Sequence, residues 1–208
     1  VQGRLQSVFA KYSRVPFPGG LTGREVAEKM LRENGIYDVT VTSTRGHLTD
    51  HYNPRNKTVN LSESVYNSNS VAAAAVACHE CGHAVQHATG YAPLELRSQL
   101  VPIISITSRF STWVIILGIL TINTFPALFW VGIAMIAVSA LFSIISLPVE
   151  YNASSRAIAW LQSSRTLEGQ QLAEARTALN WAASTYLVAA LSAIATLLYY
   201  LSIARSRD

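Results

Sequence analysis

His79, Glu80 and His83 fall in the run His79-Glu80-Cys81-Gly82-His83, an H-E-x-x-H pattern. Two histidines four residues apart lie one turn apart on the same face of a helix. At that spacing two neutral imidazoles can grip one Zn²⁺ ion. The glutamate beside the first histidine can then serve as general base towards water on the metal. Two solvated surface histidines would show the same letters, so the surrounding helix matters. Ser70 can cap its start, and Gly90 can end it near Thr89. Opposite the histidines lie Val71, Ala74, Cys78, Cys81 and Val85, a stripe at helical spacing that reads as core. The expectation is an amphipathic helix buried on its back.

The same geometry bears on the cysteines. Cys78 and Cys81 form a C-x-x-C, but both point away from the histidine face, and no second C-x-x-C completes a Cys₄ site. They read as small buried apolar residues. With two cysteines in the chain, no disulfide framework is implied. His87 lies one further turn beyond His83, about 6 Å along the axis, which suits a supporting or surface role better than ligation.

A catalytic zinc needs three protein ligands and an open position. Glu150 is the best remaining candidate, since it directly follows Leu147-Pro148-Val149 at the end of an apolar run. Two spans separate His83 from Glu150, so the chain goes down and returns to the side of the motif helix. The alternative is that Glu150 marks a membrane interface and pairs with Arg156.

These residues must be positioned by an unusual chain. It has 208 residues, half of them apolar and only 13% charged, where soluble domains carry about 25%. Residues 1–99 hold ten of the sixteen Lys and Arg, while 110–149 hold no charge. Three stretches approach the roughly 20 apolar residues that a bilayer needs. They are Val101–Ile122, Ala127–Leu147 closed by Pro148, and Trp181–Ile203 with tyrosines and a tryptophan at its ends. Arg109 sits in the polar first half of the first stretch and reads as snorkelling at the interface. Ahead of the motif helix, Thr22 can cap a helix through about Asn34, and Tyr37–Thr42 alternates as a strand. Gly46–Tyr52 and Lys57–Leu61 flank a turn at Asn53-Pro54-Arg55-Asn56, and Ser62–Tyr66 reads as a short helical turn. The net charge of +4 and a pI near 9.2 suit anionic lipid, and no nucleic-acid motif is present.

Further motifs run along nearly the whole chain. They are Leu21-Thr22-Gly23, Gly35-Ile36-Tyr37-Asp38-Val39, Leu48-Thr49-Asp50-His51-Tyr52 and Leu61-Ser62-Glu63-Ser64-Val65-Tyr66. After His79–His83 come Gln86-His87-Ala88-Thr89-Gly90-Tyr91-Ala92-Pro93, Leu147-Pro148-Val149-Glu150 and Asn152-Ala153-Ser154-Ser155-Arg156-Ala157. With these the chain resembles the YugP-type bacterial membrane zinc metallopeptidases, also called neutral zinc metallopeptidase family 2. That family is similar in layout to HtpX-type membrane proteases, in which a glutamate on a later helix is the third ligand, and the resemblance maps that role onto Glu150. Two departures stand out. Cys78 and Cys81 replace the family's usual alanines. Ser154 stands where the HtpX-like pattern has an aspartate four residues after the ligand, which leaves that supporting partner unidentified. The family also begins with a membrane helix ahead of the soluble unit, so a further N-terminal span is expected to be missing before Val1.

The resulting expectation is an α+β fold: a small zincin-like metalloprotease domain with an H-E-x-x-H helix, joined to a mostly α-helical membrane domain of about three spans. Residues 1–100 form the soluble unit, 101–147 a transmembrane hairpin, 148–180 the segment supplying Glu150, and 181–208 the last span and basic tail. One Zn²⁺ per chain is held by His79, His83 and Glu150, with Glu80 as base, in a gluzincin-like membrane endopeptidase. Arg156, Asn152, Tyr151 and His51 are candidates for the oxyanion donor or a supporting role. The Lys/Arg asymmetry turns the site towards the cytoplasm at the bacterial plasma membrane. Partners are the lipid bilayer and a membrane-associated protein or peptide substrate, not nucleic acid. The rival is a catalytically idle, metal-stabilised membrane scaffold or chaperone-like subunit.

Overall fold

The computed structural model describes residues 2–17 and 19–205. Helix α1 (Gln2–Tyr12) comes first and has no counterpart among the sequence expectations. Helix α2 (Gly23–Glu33) starts where the capping pattern places it. The Thr22 hydroxyl accepts from the Glu25 backbone N–H, and the Glu25 carboxylate accepts from the Thr22 N–H at 2.8 Å.

Three short strands follow: β1 (Thr40–Thr44), β2 (His51–Asn53) and β3 (Thr58–Ser62). The first begins at Thr40 rather than Tyr37, because pairing starts where the Thr40 N–H meets the Lys57 carbonyl at 3.0 Å. The hairpin forms as expected, with β2 and β3 antiparallel. Its first arm is shorter than 46–52, since Leu48 takes a left-handed backbone (φ 59°) that interrupts an extended strand. β3 is also the central strand and pairs in parallel with β1, giving the order β1-β3-β2. Helix α3 (Glu63–Tyr66) is the short turn expected there.

The motif helix α4 (Val71–Ala88) is capped by Ser70, whose hydroxyl accepts from the Ala73 N–H. It departs from the amphipathic expectation. Fifteen of its residues are buried, among them Glu80, His83 and Gln86, so its polar stripe is covered rather than solvated.

Three long helices complete the chain: α5 (Ala92–Leu120), α6 (Pro126–Ser163) and α7 (Gly169–Arg205). Each is long and apolar enough to cross a membrane. Pro148, expected to close the apolar span, does not end the helix, since α6 runs through it for another fifteen residues. A helix-interior proline costs about 3 kcal/mol or more. Val149, Glu150, Ala153, Ala157 and Leu161, all buried just beyond it, offset that cost.

The chain divides into two compact units. One comprises residues up to Leu94 together with Val149–Thr185. In its core Val26, Met30 and Leu31 of α2, Val59 and Leu61 of β3, and the apolar side of α4 meet Ala157, Trp160 and Leu161 of α6. The Trp160 indole donates to the Glu33 carboxylate at 2.8 Å. The other unit comprises Glu95–Pro148 and the chain from Tyr186 onward. Ile115, Phe129, Ile133 and Ala204 make its interior, while Trp113, Ile106 and Leu120 stand largely exposed on its surface. A broad exposed apolar surface is what a lipid-facing helix presents.

Candidate metal centre

Helix α4 carries His79 and His83 on one face, and their rings stack edge to face with centroids 4.8 Å apart. The second half of α6 lies against that face. Gly82 makes this possible, since a Cβ there would stand 2.6 Å from the Ala153 carbonyl oxygen. With the two backbones this close, Glu150 enters the histidine face one turn before Ala153. Its Oε2 lies 3.1 Å from His79 Nε2 and 3.5 Å from His83 Nε2.

The donor set fits zinc. One ligand atom from each of His79, His83 and Glu150 lies within 4.8 Å of the others. Three ligands at about 2.0–2.1 Å in a tetrahedral shell stand about 3.3 Å apart, close to the Nε2–Oε2 separations found. The Glu150 carboxylate is only 2% exposed, and a buried carboxylate demands positive partners or hydrogen bonds. Both ring nitrogens facing it are Nε2, which leaves each Nδ1 to the surroundings.

Those surroundings are built. His79 Nδ1 lies 3.1 Å from the Ser154 hydroxyl, and His83 Nδ1 lies 2.9 Å from Gln86 Oε1. Ser154 therefore takes the place where the related pattern has an aspartate. Gln86 belongs to a matched run of the sequence but carried no assigned role there, although it is an i+3 neighbour of His83 on the same helix. Glu80 is buried beside the pair, and burial pushes its carboxyl above the ordinary carboxylate range against the opposing pull of His79 and His83.

The other sequence candidates divide. Arg156 Nε donates to Asn152 Oδ1 at 2.8 Å, and Asn152 in turn touches Gln86 at 2.9 Å. Both stand behind His83. Tyr151 is half exposed and lines a cavity of about 240 Å³ with Ser154, Ser155 and Arg176. His51 is exposed on β2, with its Nδ1 2.8 Å from the Thr49 carbonyl. His87 is not one of the three clustered residues; its Nδ1 meets the Tyr52 hydroxyl at 2.8 Å. Burial pushes the Tyr52 phenol up to about 12, with Asp38 adding to the effect. Cys78 and Cys81 are fully buried in the core, and the Cys81 thiol points to the Ala27 carbonyl.

An H-E-x-x-H helix and a later glutamate converge here, in a chain that also carries three helices long and apolar enough to cross a membrane. The chain belongs to the family described as "Putative neutral zinc metallopeptidase", which matches residues 1–205. It is 39% identical over 204 residues to "Putative membrane protease YugP" of Bacillus subtilis (strain 168), a match covering 97% of this chain and 89% of that protein. No solved structure matches.

Proposed function

We propose that the protein is a zinc-dependent endopeptidase of the membrane, with a gluzincin-like site on a zincin-like unit. The observation that carries this reading is the convergence of His79 Nε2 and His83 Nε2 on one oxygen of Glu150, with Glu80 buried alongside. His79, His83 and Glu150 would hold one Zn²⁺ per chain. Zinc held there supplies Lewis acidity, which brings the pKa of water towards about 7 and polarises a carbonyl.

The remaining steps belong to this chain's residues. Glu80 takes the proton of the attacking water and hands it to the leaving amine. Its desolvated carboxylate makes it a better base than a solvated one. Ser154 and Gln86 keep the two imidazoles aimed at Glu150. Of the oxyanion candidates, Tyr151 and His51 keep that role open, while Asn152 and Arg156 are engaged behind His83. Strand β2 is an edge of the sheet, and an extended substrate could pair along it.

The chain's layout favours one class of substrate. Glu150 comes three residues after the apolar run 127–147, so the site suits juxtamembrane loops or segments drawn from the bilayer better than freely soluble chains. The Lys/Arg asymmetry turns it towards the cytoplasm at the plasma membrane. Zinc analysis paired with a proteolysis assay on the purified protein, wild type against Glu80→Gln, tests the reading. Zinc in both and cleavage by the wild type alone supports it. Zinc-loaded wild type with no cleavage of any membrane-protein substrate turns the case towards a metal-stabilised scaffold.

A further inference from the structure

The side chains behind His83 form a relay with only one consistent set of donors and acceptors. Arg156 can only donate, and its Nε gives a hydrogen to Asn152 Oδ1 at 2.8 Å. That oxygen is therefore an acceptor. Gln86 Nε2 reaches the same oxygen at 2.9 Å and the Val149 carbonyl oxygen at 2.8 Å. Both hydrogens of the Gln86 amide nitrogen are thus placed. Flipping the amide would set its oxygen against two other oxygens in a fully buried position. Gln86 Oε1 consequently faces His83 Nδ1 at 2.9 Å and can only accept. A neutral imidazole carries one N–H. In neutral His83 it therefore sits on Nδ1, opposite the Gln86 acceptor, and Nε2 is the atom left to bind a metal.

We propose that Gln86 is a positioning residue that locks His83 in the Nδ1–H tautomer, the ligating form, and that Asn152 and Arg156 lock Gln86. The site is then asymmetric. His79 Nδ1 meets a serine hydroxyl, which can donate or accept, so the contact behind this ring does not fix its hydrogen, while its Nε2 faces the Glu150 carboxylate at 3.1 Å. His83 Nε2 and the Glu150 oxygen face each other at 3.5 Å, a gap that a proton or a metal cation would fill favourably. The consequence for zinc affinity rests on the metal-site reading above. The tautomer does not.

The test is nitrogen-15 NMR of histidine-labelled, metal-stripped full-length protein in detergent micelles, with His83 assigned by a His83→Gln variant. With the pH raised until His83 is neutral, the wild type should show the Nδ1–H pattern. Gln86→Met, which matches the length but offers no acceptor, should give a mixture of tautomers. Zinc affinity, measured by chelator competition, should fall about 10- to 100-fold. Should Gln86→Met fail to fold, Arg156→Met on the half-exposed end of the relay carries the same test, with a smaller shift in the same direction. An Nε2–H pattern in the wild type overturns the proposal, as does an unchanged tautomer in whichever variant folds. Absence of peptidase activity with the tautomer as expected would sink the peptidase reading and leave the relay standing.

Discussion

Gly82 of α4 and Ala153 of α6 touch backbone to backbone: any side chain on Gly82 would begin 2.6 Å from the Ala153 carbonyl oxygen. This contact sets how deeply Glu150 enters the histidine face, because Ala153 lies one turn beyond Glu150. Gly82→Ala should push the helices apart and separate Glu150 from both imidazoles. Overpacking of this kind costs about 1–3 kcal/mol. The expected result is a folded protein with weakened zinc binding, read by chelator competition alongside thermal unfolding. Wild-type zinc affinity in the alanine variant would show that the helix spacing does not govern the site.

Glu80→Gln should retain zinc and fold but lose most proteolysis. The amide has nearly the same shape and cannot take a proton, and general-base catalysis contributes typically 10²–10⁴-fold. Cleavage at the wild-type rate by the glutamine variant would remove Glu80 from the mechanism.

Ser154→Ala should loosen His79 without touching any ligand atom, since it deletes the hydroxyl 3.1 Å from His79 Nδ1. Loss of such a supporting hydrogen bond typically weakens metal binding at least tenfold. Ser154→Asp, which keeps an acceptor for that nitrogen, should bind zinc better than Ser154→Ala. Equal affinities for the two variants would count against the contact.

Replacing Cys78 and Cys81 together by alanine should leave zinc content unchanged. Burial pushes both thiols well up, away from the thiolate that metals bind, and both sit in the core with α2. Two small deletions there should lower stability by about 1–2 kcal/mol, measured by thermal or denaturant unfolding. Zinc loss at unchanged stability would contradict this placement.

The proposed orientation can be read by labelling. Single cysteines at Asn56 and after the last residue, in a background lacking the native pair, are treated in intact cells with an impermeant thiol reagent. A cytoplasmic site predicts labelling at the C-terminus and not at Asn56. The opposite pattern reverses the topology, and labelling at both sites means that the count of spans is wrong.

The sequence by itself determined the parts of this protein that depend on near neighbours. Helical periodicity placed His79 and His83 on one face, and Thr22, Ser70 and Gly90 marked helix ends through hydrogen bonds made within a few residues. The apolar runs declared three helices able to cross a membrane, because that property is a sum along the chain. Tertiary structure decided what depends on distant approach. Nothing local pairs β1 with β3 in parallel, because strand order is set by which apolar faces can be buried together. Nor does anything local show that α6 survives Pro148, since the packing that offsets the lost hydrogen bond comes from residues far away in the chain. The sequence nominated Glu150 as third ligand, but its approach to within 3.1 and 3.5 Å of two imidazoles depends on how α4 and α6 pack at Gly82. Gln86 stood three residues from His83 in plain view. Its role stayed hidden because the direction of a hydrogen bond is fixed by all of its partners, and those partners, Val149, Asn152 and Arg156, reach it only through the fold.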